Sequence, residues 1–132
     1  MDVHQAIAAA EDLLPGRPAP DGEEDPRWQA MIAIAEFLPD DPEPICAFVL
    51  RWGSYPDPDL QSAVASCLLE HLLELHFARF FPEVEAQVRR NGVFADTFAR
   101  CWKFGQADEA PHSSRFDALL DYVRLRASDS SA

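Results

Sequence analysis

Glycine is scarce and never clustered: there are five in 132 residues, at positions 16, 22, 53, 92 and 105. That excludes a glycine-rich phosphate loop or a G-x-G-x-x-G turn, which need closely spaced glycines to bring backbone N–H groups onto phosphate. No G-x-S-x-G nucleophile elbow occurs. The three cysteines, Cys46, Cys67 and Cys101, contain no C-x-x-C pair. Odd in number and set among apolar residues, they read as free buried thiols in a reducing cytoplasm. No apolar run approaches the roughly 18 residues that span a bilayer. The first residues, MDVHQAIAAAEDLL, carry no basic segment ahead of their apolar ones and make a poor secretory signal. Positive charge is also short, with 11 Lys and Arg against 23 Asp and Glu. Nucleic acid is therefore disfavoured as a partner, because phosphate binding depends on clustered cations. No window alternates apolar and polar residues with β-branched enrichment, so no strand is expected.

What remains is helical. The stretch from Pro58 to Leu75 has no interior breaker, and its apolar arc is wide. At roughly 100° per residue, Val64, Ala65, Leu68, Leu72 and Leu75 make one face, which Leu69 and Leu73 extend. Asp59, Ser66, Glu70 and Glu74 fall on a narrow polar strip. A helix this apolar needs neighbours on more than one side, and we read it as the centre of an all-α domain.

The rest of the chain supplies those neighbours. Helix 2–14 is capped by Asp2, carries Val3, Ile7, Ala10 and Leu14 on one stripe, and stops at Pro15-Gly16. The stretch 15–26 then packs four prolines and four acids into an extended loop. A second helix opens at Pro26 behind Asp25, with Trp28, Met31, Ile32, Ala35 and Leu38 facing the core. A third begins within Pro39–Pro44, buries Ile45, Phe48, Val49 and Trp52, and ends on a left-handed Gly53. After Leu75, Pro82 is expected to open a new helix, 82–91, closed by Asn91-Gly92. A helix over 93–104 should turn Phe94, Phe98, Cys101 and Trp102 inward and stop at Gly105. The last helix, capped by Ser113-Ser114, packs Phe116, Leu119, Leu120 and Val123. The expectation is thus one domain over 1–127, with an acidic loop at 15–25 and a disordered tail at 128–132.

Two turns look alike. Leu38-Pro39-Asp40-Asp41-Pro42 and Tyr55-Pro56-Asp57-Pro58-Asp59 separate striped helices at an offset of 17 residues. With DPDLQSAVASCLLEHLLE opening one helix, residues 26–91 resemble the helical hairpins of HEAT-like repeats. The resemblance implies a short right-handed stack of six or seven antiparallel helices used to bind proteins, with room for fewer than four pairs.

Candidate chemistry is thin. Cys67, His71 and Glu74 lie at i, i+4 and i+7, and all three residue types ligate zinc. His71-Leu72-Leu73-Glu74 is nearly an H-x-x-E-H signature, but Leu75 stands where the second histidine belongs, and His76 points about 140° away. We read this stripe as the boundary between core and polar strip, and assign no metal, cofactor or catalytic residue.

Charge is the stronger signal. Residues 1–60 hold thirteen acids and three bases, and 61–132 hold ten and eight, so the net −12 sits mainly in the first half. That suits a protein that meets a basic partner through one region. In a helical stack the 15–25 loop and the 54–57 turn should share an edge, with the 39–42 turn opposite. Asp21, Glu23, Glu24, Asp25 and Asp57 would then sit together, with Tyr55 as an aromatic anchor. Small, acidic, helical and without catalytic motifs, the chain is similar in profile to the bacterial immunity proteins that neutralise toxins. Three classes remain open: an immunity-like binder of a basic protein, a HEAT-like adaptor holding a partner helix in a groove, and a metal protein or enzyme at Cys67, His71 and Glu74.

Overall fold

The computed structural model describes residues 1–131. Among these residues the chain forms seven α-helices and no strand. They are α1 (Val3–Glu11), α2 (Pro26–Ala35), α3 (Pro42–Trp52), α4 (Pro58–Val64), α5 (Glu70–Arg90), α6 (Gly92–Phe98) and α7 (His112–Ser131). α7 runs past 127 to Ser131, so helix covers most of the stretch expected to be a disordered tail. Ala132 lies outside the described residues.

Local chemistry explains most helix starts. Asp2 and Gln5 form a reciprocal capping box on α1. Asp25 and Asp57 accept backbone N–H bonds at the heads of α2 and α4, each followed by proline at the first helical position. Asn91 caps α6 through the N–H groups of Val93 and Phe94. α7 begins at His112 and not behind the Ser113-Ser114 pair; the Ser113 hydroxyl instead accepts from Lys103 Nζ at 2.7 Å. Gly53 is right-handed (φ −67°), not a left-handed cap. Its small size is needed for another reason: a Cβ there would lie 2.9 Å from the Phe94 ring.

The central element is interrupted twice. Between α4 and α5, Ala65–Leu69 form a π-helical turn. Such a turn adds a residue and shifts the register of the helix beyond it. That shift accounts for two corrections. Glu70, expected on the polar strip, is buried at 7% exposure, and Leu75, expected inside, is 37% exposed. Leu68, Leu69 and Leu72 are buried as the apolar arc requires.

The second interruption is at His76 (φ −141°, ψ 44°), inside α5, six residues before the expected break at Pro82. Gln106 replaces the missing helical bonds: its Oε1 accepts from Phe77 N at 3.0 Å, and its Nε2 donates to Leu75 O at 2.7 Å. Pro82 stays inside the second half of α5. It and Ala78, whose carbonyl loses its i+4 donor, are both exposed, so water can satisfy that carbonyl.

α2 is rotated relative to the expected stripe. Met31, Ile34 and Leu38 are buried, while Ile32 is 47% exposed and Arg27 takes the first core position. α6 ends at Phe98, not at 104, and Trp102 stands 74% exposed. The core gathers five fully buried phenylalanines, Phe77, Phe81, Phe94, Phe98 and Phe116, around the leucines of the central element.

Leu72→Asp should cost roughly 4 kcal/mol of stability, because it buries a charge with no partner. Leu75→Asp should stay within about 1 kcal/mol, since its side chain already meets water. Urea denaturation of the two variants distinguishes them, and equal losses would contradict the register set by the π turn.

Candidate partner-binding edge

One buried cation organises the acidic half. Arg27 is 3% exposed. Its Nη2 donates to Asp59 Oδ2 at 2.5 Å and Asp25 Oδ2 at 3.3 Å, and its Nη1 to Asp57 Oδ2 at 3.4 Å and Pro15 O at 2.8 Å. Asp25 and Asp57 are also the caps of α2 and α4, so each carboxylate serves a helix start and the guanidinium together. Asp25 accepts from Ala19 N as well, at 3.3 Å. Burial opposes ionisation of Asp25. The hydrogen bonds from Arg27 and Ala19 outweigh it and hold the carboxyl below its usual range.

The 15–25 loop and the 54–57 turn are thus brought to one place, through Arg27. The six residues singled out in the sequence divide there. Asp25 and Asp57 are engaged in internal ion pairs. Asp21, Glu23 and Glu24 are exposed and have no side-chain partner among the described residues. Tyr55 is exposed, its ring 6.1 Å from that of Trp52, whose Nε1 donates to Glu11 at 3.2 Å. The 39–42 turn lies by the α5 break, where His76 Nε2 is 2.8 Å from Leu38 O and Arg79 pairs with Glu43. Sequence reasoning missed Arg27, although the signal was present: it is the lone cation between Arg17 and Arg51, directly behind an acidic run.

The Cys67–His71–Glu74 stripe closes on itself. His71 Nδ1 is 2.8 Å from Glu74 Oε1, and the imidazole stacks on Phe104. Among the described residues no three His, Cys, Asp or Glu side chains are grouped as a metal would need. Burial pushes the Cys67 thiol up to about 11, with help from Glu70, and the Cys46 thiol up to about 12, with help from Glu83. Burial also raises Cys101. Thiols so shifted are poor nucleophiles at neutral pH.

Glu70 was expected to be a plain surface acid. Its Oε2 accepts from Trp102 N at 3.0 Å, which draws the chain away from helix after α6. Burial raises its carboxyl above the usual range, more than the Trp102 bond lowers it. No buried side-chain polar atom among the described residues lacks a partner.

The chain matches no family model, no curated protein and no solved structure. The edge must therefore be read from its own geometry.

Arg27→Met should destabilise by about 2–4 kcal/mol at neutral pH, because it strands three carboxylates, two of them partly solvated. The Asp25 carboxyl titrates lower in the folded chain than unfolded. Its contribution is therefore present above the unfolded value of about 4 and is lost as pH falls through the folded one. The gap between parent and variant in thermal melts should narrow below about pH 4. A gap independent of pH would rule out the ion pairs as its source.

Glu70→Gln tests the opposite sign. A carboxyl raised by folding makes ionisation favour the unfolded chain, so the parent loses stability as pH rises above about 4.3. The amide keeps an acceptor for Trp102 N without that loss. The variant should match the parent at low pH and exceed it at pH 7. A variant weaker at every pH would mean that the charge itself stabilises the fold.

Proposed function

We propose that this chain is a non-enzymatic binding module that captures a basic protein, in the manner of a toxin-neutralising immunity protein. The observation that carries the reading is the free acidic edge. Asp21, Glu23 and Glu24 are exposed and unneutralised on a loop fastened at Pro15 and at Asp25 by the buried Arg27. A tethered loop presents its charges in a fixed place, unlike a solvated linker. Together with the net charge of −12 it supplies the field that steers a cationic partner to one face. Tyr55 gives that face an aromatic contact. Asp25 and Asp57 act indirectly, by holding Arg27.

Affinity capture from extract of the native cell should retain a basic protein. The triple variant Asp21→Asn, Glu23→Gln, Glu24→Gln should then associate with it more slowly, with a flatter salt dependence. Dissociation should change less, since exposed rim charges act mainly on the on-rate. Capture of no basic protein, or identical on-rates at low salt for parent and variant, would overturn the reading.

A further inference from the structure

A second surface carries the opposite charge. α7 packs against α6 and the segment 99–102 that follows it along a seam they do not fill, leaving two open cavities of about 520 and 330 Å³. Their α7 walls are Leu120, Val123, Arg124, Arg126 and Ala127, of which Leu120, Val123, Arg124 and Ala127 fall at i, i+3, i+4 and i+7 and Arg126 lies one turn from Val123. Both walls run in order from one cavity to the other, 91–96 then 99–102 on one side and 123–127 then 120–124 on the other, so we read the two as parts of one groove. Those residues rise about 10 Å along α7, the length of two helical turns. Leu120 and Val123 line an apolar floor, while Arg100, Arg124 and Arg126 stand around it and Asp96 is the single acid in the lining.

None of these three arginines has a carboxylate partner among the described residues. Arg100 donates to Ser62 Oγ at 2.9 Å, and the Arg126 guanidinium lies against Gly92. Elsewhere Arg27, Arg51, Arg79, Arg89 and Lys103 pair with carboxylates, Arg115 lies over the Phe81 ring, Arg90 donates to Gln87 Oε1, and Arg17 has no carboxylate partner among the described residues. What sets the groove apart is its local balance, three arginines without counter-ions against one acid, Asp96, in a chain of net charge −12. Trp102 closes one end, and its exposed ring adds little to the core. Its backbone is nonetheless fixed by buried Glu70, and the next residue is tied to α7 through Lys103 and Asp117.

We propose that the α6–α7 groove docks an acidic amphipathic helix from a partner protein. Apolar residues at i and i+3 or i+4 seat on Leu120 and Val123, carboxylates meet the arginines, and one end of the helix packs on Trp102. Charge complementarity selects this occupant. The net −12 does not oppose it, because exposed charges are screened beyond about 8 Å at physiological salt and the groove's own arginines decide at contact. The inference stands independently of the acidic edge.

The test uses the full chain and a fluorescein-labelled 14-residue peptide of leucine and glutamate at helical spacing, beside a counterpart with lysine in place of glutamate. Anisotropy should show binding of the glutamate peptide and not of the lysine one. Arg100→Glu/Arg124→Glu should reverse that preference. Trp102→Ala should weaken the glutamate peptide by about tenfold, the scale of an aromatic anchor, without moving the melting temperature. No binding, equal binding of both peptides to the parent, or unchanged affinity in the double charge reversal would overturn the proposal. So would parent dimers that the glutamate peptide dissolves, since a second copy of this chain would then be the occupant.

Discussion

A single side-chain amide closes the break on which the second half of the structure depends. α5 loses helical geometry at His76, and Gln106 supplies both the acceptor for Phe77 N and the donor for Leu75 O. Each of those backbone groups would cost about 1–3 kcal/mol if buried without a partner. Position 106 is therefore fixed against the middle of α5, and the chain between Phe98 and Gly105 must travel there without helix. The contacts nearby are set by that route. Glu70 receives Trp102 N, Phe104 lies on His71, and His112 stacks on Phe77 at 4.4 Å. Gly105, at φ +50°, makes the final approach, where a Cβ would strike Glu74.

The first half rests on a different device. Three carboxylates converge on Arg27, and two of them already cap helices. A guanidinium suits this role because its fork of donors can meet several oxygens in fixed directions and it never deprotonates. Lysine could not reach Asp25, Asp57, Asp59 and Pro15 O from one buried position. Part of the acidity of the first sixty residues is thereby consumed internally, and the net charge overstates what faces a partner. Asp21, Glu23 and Glu24 are the part of this edge left outward.

This division also marks what the sequence could disclose. Asp2 and Asp25 announce helix starts because a cap is decided within three residues of itself. The apolar arc of Leu68, Leu69 and Leu72 was legible for the same reason: periodicity is local. The break at His76 was not, because it depends on Gln106, thirty residues away, and nothing about Leu75-His76-Phe77 disfavours helix. Pro82 drew attention as the obvious breaker, yet it sits on an exposed turn where the orphaned carbonyl is open to water. Trp102 misled through its type. Its spacing from Phe94 and Phe98 fits a core stripe, but buried Glu70 captures its backbone and the ring is left outside. The π turn carries no sequence mark at all, and it is what exchanges Glu70 for Leu75 at the surface. Of the six residues proposed for the edge, the local signal placed all in acidic or aromatic turns. It could not separate Asp25 and Asp57, bound to Arg27, from the three acids that remain free.

The two surfaces differ in what their physics can deliver. The acidic edge is exposed charge on a loop, which acts at a distance, depends on salt and influences how often a partner arrives. The α6–α7 seam is short-range: an apolar floor, arginines without counter-ions and an exposed indole on an anchored backbone, features that govern how long a bound segment stays. Fixing the Trp102 backbone through Glu70 matters in that context, because a segment already held in place has less freedom to lose when its side chain is covered. Glu70 carries a cost in the free protein, because burial pushes its carboxyl above the ordinary range in spite of the Trp102 bond.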